Sequence, residues 1–218
     1  MYFVTGVGTD IGKTVATTVL AQQEKRAGNR VTVIKPFQTG QTATGRYPDI
    51  AWYEDYLNIR HEEMVVVEPA VSPHFALERA GRVVTKEAIV PKIEAIASPY
   101  DVAFVEGAGG LAVPLCKNGT HYFMTEQLIE ALGASIYLVV ETRLGSIHDA
   151  LVTIDYAVCR NVPIQGIVFN RYDANDPMER DNVETVMTLS PVKRFATIPS
   201  FTTSKEMLDY ELQWEEWT

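Results

Sequence analysis

The chain has 218 residues, of which 46% are hydrophobic and 22% are charged, a composition typical of one folded domain with a sizeable core. Its formal net charge of −9 argues against non-specific binding to nucleic acid or to an anionic membrane, because both need a basic surface. The sequence shows no basic and apolar leader, and no apolar run approaches about 18 residues. We therefore expect a cytoplasmic protein with a single domain over residues 1–218 and with neither nucleic acid nor membrane as a partner.

The two cysteines, Cys116 and Cys159, are far apart in the sequence and form no CxxC or Cys/His pairing. This pattern predicts neither a disulfide framework nor a zinc site. We expect both side chains to be reduced and to lie in the core.

Short β-branched runs alternate with longer segments of helical period, which is the pattern of βα units on a parallel sheet. The candidate strands run from Tyr2 to Thr5, Val31 to Lys35, Val102 to Val105, Ile136 to Val140, Ile164 to Phe169 and Ala196 to Ile198. Most of these runs are apolar throughout, as expected for strands that are covered on both faces. The sequence therefore predicts an α/β fold of three layers, with a mostly parallel sheet between two layers of helices.

The sequence clearly predicts two helices between these strands. The segment from Gly12 to Ala27 has helical periodicity and is followed by Gly28, a natural C-terminal stop. Apolar residues recur at helical spacing at Ile147, Leu151, Ile154 and Val158. The stretch from Gly40 to Pro73 is more polar, and we interpret it as a helix with connecting loops near the functional site. His61 and His74 are interpreted as a solvated residue and a packed loop residue, without a catalytic role.

A glycine-rich loop joins the first strand to the first helix, with the sequence Gly6-Val7-Gly8-Thr9-Asp10-Ile11-Gly12-Lys13-Thr14. Such a loop directs unpaired backbone N–H groups and the positive end of the helix dipole towards one point, where phosphate oxygens bind. Lys13 supplies charge to the outer phosphates, and the Thr14 hydroxyl is suited to ligate Mg²⁺. The usual motif has its first glycine at the position of Val7, one residue after Gly6. A chance Gly-Lys-Thr in a tight turn is the alternative, but the flanking strand and helix favour a nucleotide site of the P-loop type.

Further charged residues stand where predicted strands end, and the carboxyl ends of parallel strands meet at one edge of a sheet. Lys35 ends the second strand, and Glu106 follows the third and opens a run of small residues. Phosphoryl transfer needs Mg²⁺ and positive charge around the γ-phosphate, which a lysine and a carboxylate supply. The alternatives are a solvated lysine and a turn with a chance acid. Asp49 is a weaker candidate, because aspartate at a helix start is commonly a cap.

Five segments in this order, from Met1 to about Pro199, resemble the dethiobiotin synthetase family. They are Gly6 to Thr14, Lys35-Pro36-Phe37-Gln38-Thr39-Gly40, Ser72-Pro73-His74, Val105-Glu106-Gly107-Ala108-Gly109-Gly110 and Leu144-Gly145-Ser146-Ile147. Several P-loop enzymes share the first segment, whereas the second and fourth segments are far more specific.

The resemblance implies an ATP- and Mg²⁺-dependent cyclo-ligase of biotin synthesis that acts on 7,8-diaminopelargonic acid and carbon dioxide. One amine forms a carbamate, a carbamate oxygen attacks the γ-phosphate, and the second amine closes the ureido ring with release of phosphate. The products are dethiobiotin, ADP and phosphate. The resemblance also implies a homodimer, in which a helix N-terminus of the second subunit binds the substrate carboxylate. This chain has His148-Asp149 where many members have Asn-His.

The resemblance assigns residues to four roles. The catalytic residues would be Lys35, Lys13 and Thr9, with the two lysines stabilising charge on the carbamate and the γ-phosphate. The metal ligands would be Thr14, Asp49 and Glu106. The substrate would contact Thr39, Gly109, Gly145, Ser146 and Ile147. The ATP site would comprise Asp10, Ile11, Gly12, Lys13, Thr14, Val15, Asp49, Glu106, Gly107, Ala108, Gly109, Asn170, Arg171, Pro199, Ser200 and Phe201.

Two alternatives remain open: an amide-forming synthetase of the cobyrinic or cobyric acid type, and an ATPase switch of the ParA or nitrogenase-iron-protein type. The first carries a glutaminase region with a nucleophilic cysteine, and neither cysteine here lies in a nucleophile turn. The second usually has another lysine within the phosphate loop, and Val7-Gly8-Thr9 contains none. Both features favour the dethiobiotin synthetase resemblance.

Overall fold

A computed structural model describes residues 1–60 and 64–218 of the chain. The elements in chain order are β1 (Tyr2–Gly6), α1 (Lys13–Arg26), β2 (Val31–Ile34), β3 (Phe37–Thr39), α2 (Pro48–Leu57), β4 (Val65–Val67), α3 (Pro73–Arg79), α4 (Lys86–Ala97), β5 (Val102–Glu106), β6 (Pro114–Asn118), β7 (His121–Met124), α5 (Thr125–Ala131), β8 (Ser135–Glu141), α6 (Ser146–Cys159), β9 (Ile164–Asn170), α7 (Pro177–Leu189), β10 (Arg194–Ile198), α8 (Ser204–Asp209) and β11 (Glu215–Glu216). The prediction for His61 lies outside the described residues.

The centre of the fold is a seven-stranded sheet with the strand order β11-β10-β9-β8-β1-β5-β2. Neighbouring strands pair in parallel, except β10 and β11 at one edge, which pair antiparallel. All the strands predicted from the sequence belong to this sheet, and its mostly parallel character is confirmed. The order brings the carboxyl ends of β1, β5 and β2 side by side at the same edge, where a ligand site is expected.

Helices cover both faces of the sheet because its strands are apolar on both sides. In β1, Phe3 packs in one core with α4 and α5, whereas the next residue, Val4, packs in another core with α1 and α2. A third core joins β8, β9 and β10 to α6 and α7. The predicted three-layer α/β/α architecture is therefore confirmed. Within the described parts of the chain, no helix has the length and apolar character needed to cross a membrane.

The two clearly predicted helices are present as α1 and α6, and α2 is the helix expected between Gly40 and Pro73. The same stretch also contains β4, which was not predicted. It pairs in parallel with β3 as a separate two-stranded sheet, and β6 pairs with β7 in another. Such short strands carry weak sequence signals, because their stability comes from long-range pairing and packing.

The prediction that both cysteines lie in the core is right for one of them. Both are free, and Cys116 is buried, but Cys159 is exposed. Cys159 is the last residue of α6 and follows the buried Ala157 by two positions, which turns its side chain away from the sheet.

Candidate active site

A cavity of about 580 Å³ lies at the edge of the sheet where β1, β5 and β2 end. Most of the predicted site residues line it: Thr9, Asp10, Gly12, Lys13, Thr14, Lys35, Thr39, Asp49, Glu106, Ala108, Gly109 and Arg171. The remaining lining residues were not predicted as site residues, although two of them belong to the segment from Lys35 to Gly40; they are Phe37, Gln38, Pro48 and Trp52. Motifs that are far apart in the sequence therefore meet in one place.

The phosphate loop between β1 and α1 is shaped by two glycines. A Cβ atom at Gly6 would lie 2.1 Å from Cδ1 of Ile11. The Ile11 side chain therefore fills the space that a side chain at position 6 would occupy. Gly12 caps α1 in the left-handed region, with φ of 84°, and a Cβ atom there would lie 2.0 Å from Nδ2 of Asn170. That amide donates to the Ile11 carbonyl at 2.9 Å. The loop backbone is thus held by the core below it and by β9 beside it.

Lys13, the first residue of α1, is buried and folds back over the loop. Its Nζ donates to the Gly8 carbonyl at 2.7 Å. Burial, followed by the nearby Lys35 charge, lowers the pKa of Lys13 to about 8. A phosphate oxygen would give this poorly solvated ammonium a stronger, charge-assisted partner than the carbonyl that it contacts here. The arrangement is suited to anion binding.

Lys35 is the centre of a buried ionic cluster. Its Nζ lies 2.6 Å from Oε1 of Glu106 and 2.7 Å from Oδ2 of Asp49, and it donates to the Gly107 carbonyl at 2.9 Å. Burial opposes the charge and lowers the pKa of Lys35, but the two carboxylates outweigh burial and raise the pKa above its ordinary value. Burial likewise opposes ionisation of Asp49, but Lys35 brings the pKa of that carboxyl below its ordinary value. Both groups are therefore charged near neutral pH.

The predicted metal ligands bring oxygen atoms together beside Lys35. Oγ1 of Thr14 lies 3.3 Å from Oδ1 of Asp49 and 3.2 Å from Oε1 of Glu106. Hydroxyl and carboxylate oxygens are ligands that Mg²⁺ prefers, so this donor set fits the ion. Among residues 1–60 and 64–218 there is no group of three or more His, Cys, Asp or Glu that could hold a metal. Mg²⁺ usually completes its shell with phosphate oxygens and water, which two carboxylates and a hydroxyl allow.

Tyr53 is a member of this cluster that the sequence did not indicate. Its side chain is buried in α2, and its hydroxyl donates to Oε2 of Glu106. Burial and the Glu106 charge raise the pKa of Tyr53 well above its ordinary value, so the residue acts as a neutral donor. Tyr53 follows Asp49 by four positions, which places both on the same face of α2. This helical spacing is the signal by which Tyr53 could have been found.

Some predicted residues lie outside the cavity lining. They are Ile11, Val15, Gly107, Asn170, Pro199, Ser200 and Phe201 from the nucleotide set, and Gly145, Ser146 and Ile147 from the substrate set. Gly145 caps α6 with φ of 94°, and Asp149 in the first helical turn is paired with Arg143 at 2.8 Å. The ligand contacts assigned to these residues stay predictions.

The fold and the phosphate loop define the chain as an α/β protein of the P-loop nucleotide-binding class. Its structure is similar to that of a ParA family ATPase from Chlorobium tepidum TLS, with a TM-score of 0.57 and 18% identity over 95% of this chain and 88% of that chain. At this identity the likeness shows the fold alone. A family model described as an AAA domain matches residues 1–207.

Sequence similarity identifies the family within this class. The chain is 37% identical to the ATP-dependent dethiobiotin synthetase BioD of Geobacillus sp. (strain WCH70), over 98% of this chain and 91% of the relative. It is 35% identical to the protein of the same name from Staphylococcus epidermidis (strain ATCC 12228 / FDA PCI 1200), over 86% and 85% of the two chains. The chain belongs to the dethiobiotin synthetase family, a family of ligases, and the resemblance drawn from its motifs is confirmed.

Proposed function

We propose that the protein is an ATP-dependent dethiobiotin synthetase, which carboxylates 7,8-diaminopelargonic acid with carbon dioxide and closes the ureido ring. The observation that carries this proposal is the meeting of Lys13, Lys35 and the Thr14, Asp49 and Glu106 oxygens in one cavity. A phosphate loop alone fits many nucleotide hydrolases. A second lysine beside two carboxylates supplies the charges needed to hold a carboxylated substrate next to the γ-phosphate.

The proposed reaction has three steps. One amine nitrogen of the diamine adds to the carbon of carbon dioxide and loses a proton, which forms a carbamate. A carbamate oxygen then attacks the γ-phosphorus, and the bond from this phosphorus to ADP breaks. The second amine attacks the carbamate carbon, phosphate leaves with the electron pair of the carbon–oxygen bond, and the amine loses its proton as the ring closes.

The residues contribute mainly by positioning and electrostatics. Lys13 stabilises negative charge on the outer phosphates, and Lys35 stabilises charge between the carbamate and the γ-phosphate. The hydroxyls of Thr9 and Thr39 position the carbamate or the diamine. Thr14, together with the two carboxylates, would hold Mg²⁺, which when bound offsets charge on the phosphate oxygens.

The proposal includes a homodimer, in which the first turn of α6 from the second subunit binds the substrate carboxylate through backbone N–H groups. The position of Gly145, Ser146 and Ile147 outside the cavity lining of their own chain supports this arrangement. The pairing of Asp149 with Arg143 supports it further, because a neutralised aspartate repels a carboxylate less than a free one. Analytical ultracentrifugation tests the dimer, and a monomer under conditions of full activity would contradict it.

The decisive assay measures phosphate release from ATP with and without the diamine and bicarbonate. We expect release to require both compounds and to match the amount of dethiobiotin seen by mass spectrometry. ATP hydrolysis that ignores both compounds would contradict the proposal and favour a switch ATPase. Lys13→Ala should abolish the reaction without lowering Tm, whereas Lys92→Ala, at an exposed position of α4, should keep full activity. A fully active Lys13→Ala would refute the role given to the phosphate loop.

A further inference from the structure

The two carboxylates that would hold the metal ion are already engaged by donors of the protein itself. Nζ of Lys35 lies 2.6 Å from Oε1 of Glu106 and 2.7 Å from Oδ2 of Asp49. Oγ1 of Thr14 lies 3.3 Å from Oδ1 of Asp49, and the hydroxyl of Tyr53 donates to Oε2 of Glu106. Each of the four carboxylate oxygens therefore has a donor beside it.

Of these donors, only Lys35 carries a charge. The hydroxyls of Thr14 and Tyr53 are neutral, whereas the ammonium of Lys35 neutralises one of the two negative charges. The side chains of Lys35 and Glu106 are only 4% and 1% exposed, so little water screens this pair. A divalent cation bound to the same oxygens would be repelled strongly by the adjacent ammonium. The ammonium must therefore leave the carboxylates before a metal ion binds to both of them.

The proposed reaction requires the same movement of Lys35. It places the charge of this residue between the carbamate and the γ-phosphate, whereas the structure places Nζ on the two carboxylates and 2.9 Å from the Gly107 carbonyl oxygen. Lys35 lines the same cavity as Lys13 of the phosphate loop, so bound phosphates would offer it a new anionic partner. The flexible stem of a lysine allows such an exchange of partners.

We propose that Lys35 competes with a divalent cation for Glu106 and Asp49, and that it gives up these carboxylates when ATP binds. The inference rests on the proposed function. The phosphates of ATP attract the ammonium, and its departure frees the carboxylate oxygens for the metal ion. The metal ion and the nucleotide therefore bind cooperatively, and the same movement brings the charge of Lys35 to the place where the reaction uses it.

The first test measures binding of Mn²⁺ to the nucleotide-free protein, by electron paramagnetic resonance of the free ion. Mn²⁺ prefers the same oxygen ligands and octahedral geometry as Mg²⁺, which should compete with it. We expect Lys35→Met to lower the Kd of Mn²⁺ about tenfold or more, because the competing ammonium is gone. Lys92→Met, at an exposed position of α4, should bind Mn²⁺ like the wild type.

Lys13→Met separates competition at the carboxylates from the general effect of a positive charge in the cavity. Lys13 lines the same cavity, but its Nζ contacts the Gly8 carbonyl. Its removal should therefore lower the Kd of Mn²⁺ much less than the removal of Lys35. Lys35→Gln keeps an N–H donor for Glu106 and should show the same gain as Lys35→Met with a smaller loss of stability. Circular dichroism checks that each variant is folded.

A non-hydrolysable ATP analogue tests the departure of Lys35. In the wild type, the analogue should strengthen Mn²⁺ binding both by its phosphates and by drawing the ammonium away from the carboxylates. In Lys35→Met only the first effect is left. The advantage of the variant over the wild type should therefore shrink when the analogue is present.

An unchanged or higher Kd of Mn²⁺ in both Lys35 variants would overturn the inference, and so would an equal gain in Lys13→Met. A gain in Lys35→Met that is as large with the analogue as without it would also overturn it, because the ammonium would then stay on the carboxylates. These measurements do not use the diamine. Phosphate release that requires the diamine and bicarbonate would therefore uphold the proposed function even where the inference fails, and ATP hydrolysis that ignores both would remove that function whatever the Mn²⁺ result.

Discussion

Replacing Lys35 by methionine should destabilise the protein, because the lysine neutralises a buried carboxylate. Its Nζ lies 2.6 Å from Glu106 and 2.7 Å from Asp49, and the side chains of Lys35 and Glu106 are only 4% and 1% exposed. Methionine fills a similar volume but leaves Glu106 as an uncompensated buried charge. Breaking a buried ion pair from one side costs about 3–5 kcal/mol in the free energy of unfolding.

The lower end of that range applies here, because Glu106 keeps hydrogen bonds from Tyr53 and Thr14. A loss of about 3 kcal/mol in a chain of this size lowers Tm by about 6–12 °C. Since the carboxylates raise the pKa of Lys35, its contribution is fully present below the ordinary lysine value of about 10.4 and is lost as the pH rises through the folded value. Urea denaturation and calorimetry near neutral pH, without nucleotide, therefore measure the whole effect.

The double variant Lys35→Met with Glu106→Gln provides the internal control. It removes the charges of Lys35 and Glu106, and it should recover most of the lost stability, because the remaining carboxylate, Asp49, has 27% of its side chain exposed and keeps contact with water. Lys92→Met, at an exposed position, should leave Tm unchanged. A wild-type Tm for Lys35→Met, or losses that simply add in the double variant, would refute the reasoning.

Two further predictions concern other hydrogen bonds of carboxylates. Tyr53→Phe should lower the free energy of unfolding by about 1–3 kcal/mol, because Oε2 of Glu106 loses its donor, whereas Tyr56→Phe in the same helix should have little effect in urea denaturation. A stability equal to the wild type would contradict the role of Tyr53. Hydrogen bonds from Arg30 lower the pKa of Asp101 to about 2, so this exposed pair stabilises the fold above about pH 4 and stops doing so as the pH falls towards 2. Asp101→Asn should therefore flatten the fall in Tm over this range, and an unchanged slope would exclude the pair as its source.

The parts of the site that could be predicted from the sequence are those marked by a short local pattern of residues. The phosphate loop has its glycines and Lys13 between a strand and a helix, and Glu106 ends an apolar strand. Because the strands that precede these residues are parallel, their carboxyl ends lie at the same edge of the sheet. Tyr53 and Gln38 were not predicted as site residues, although Tyr53 follows Asp49 by one helical turn and Gln38 lies within the segment from Lys35 to Gly40. The spacing of Tyr53 assigns it no role by itself, because its partner, Glu106, is distant in sequence. The strand that carries Gln38 exists through its pairing with Val65–Val67, which no local pattern indicates.

The phosphate loop packs closely against its neighbours where it departs from the usual motif. A Cβ atom at Gly6 would lie 2.1 Å from Cδ1 of Ile11, so a larger residue there would displace the Ile11 side chain. The next residue, Val7, donates its N–H to the Val139 carbonyl. A Cβ atom at Gly110 would lie 3.3 Å from the Gly6 carbonyl oxygen, so the small-residue run after Glu106 packs directly on the loop backbone. The phosphate loop and the run of small residues after Glu106 are therefore in direct contact. Glu106 stands next to the phosphate loop because β5 pairs in parallel with β1, with Glu106 opposite Val4.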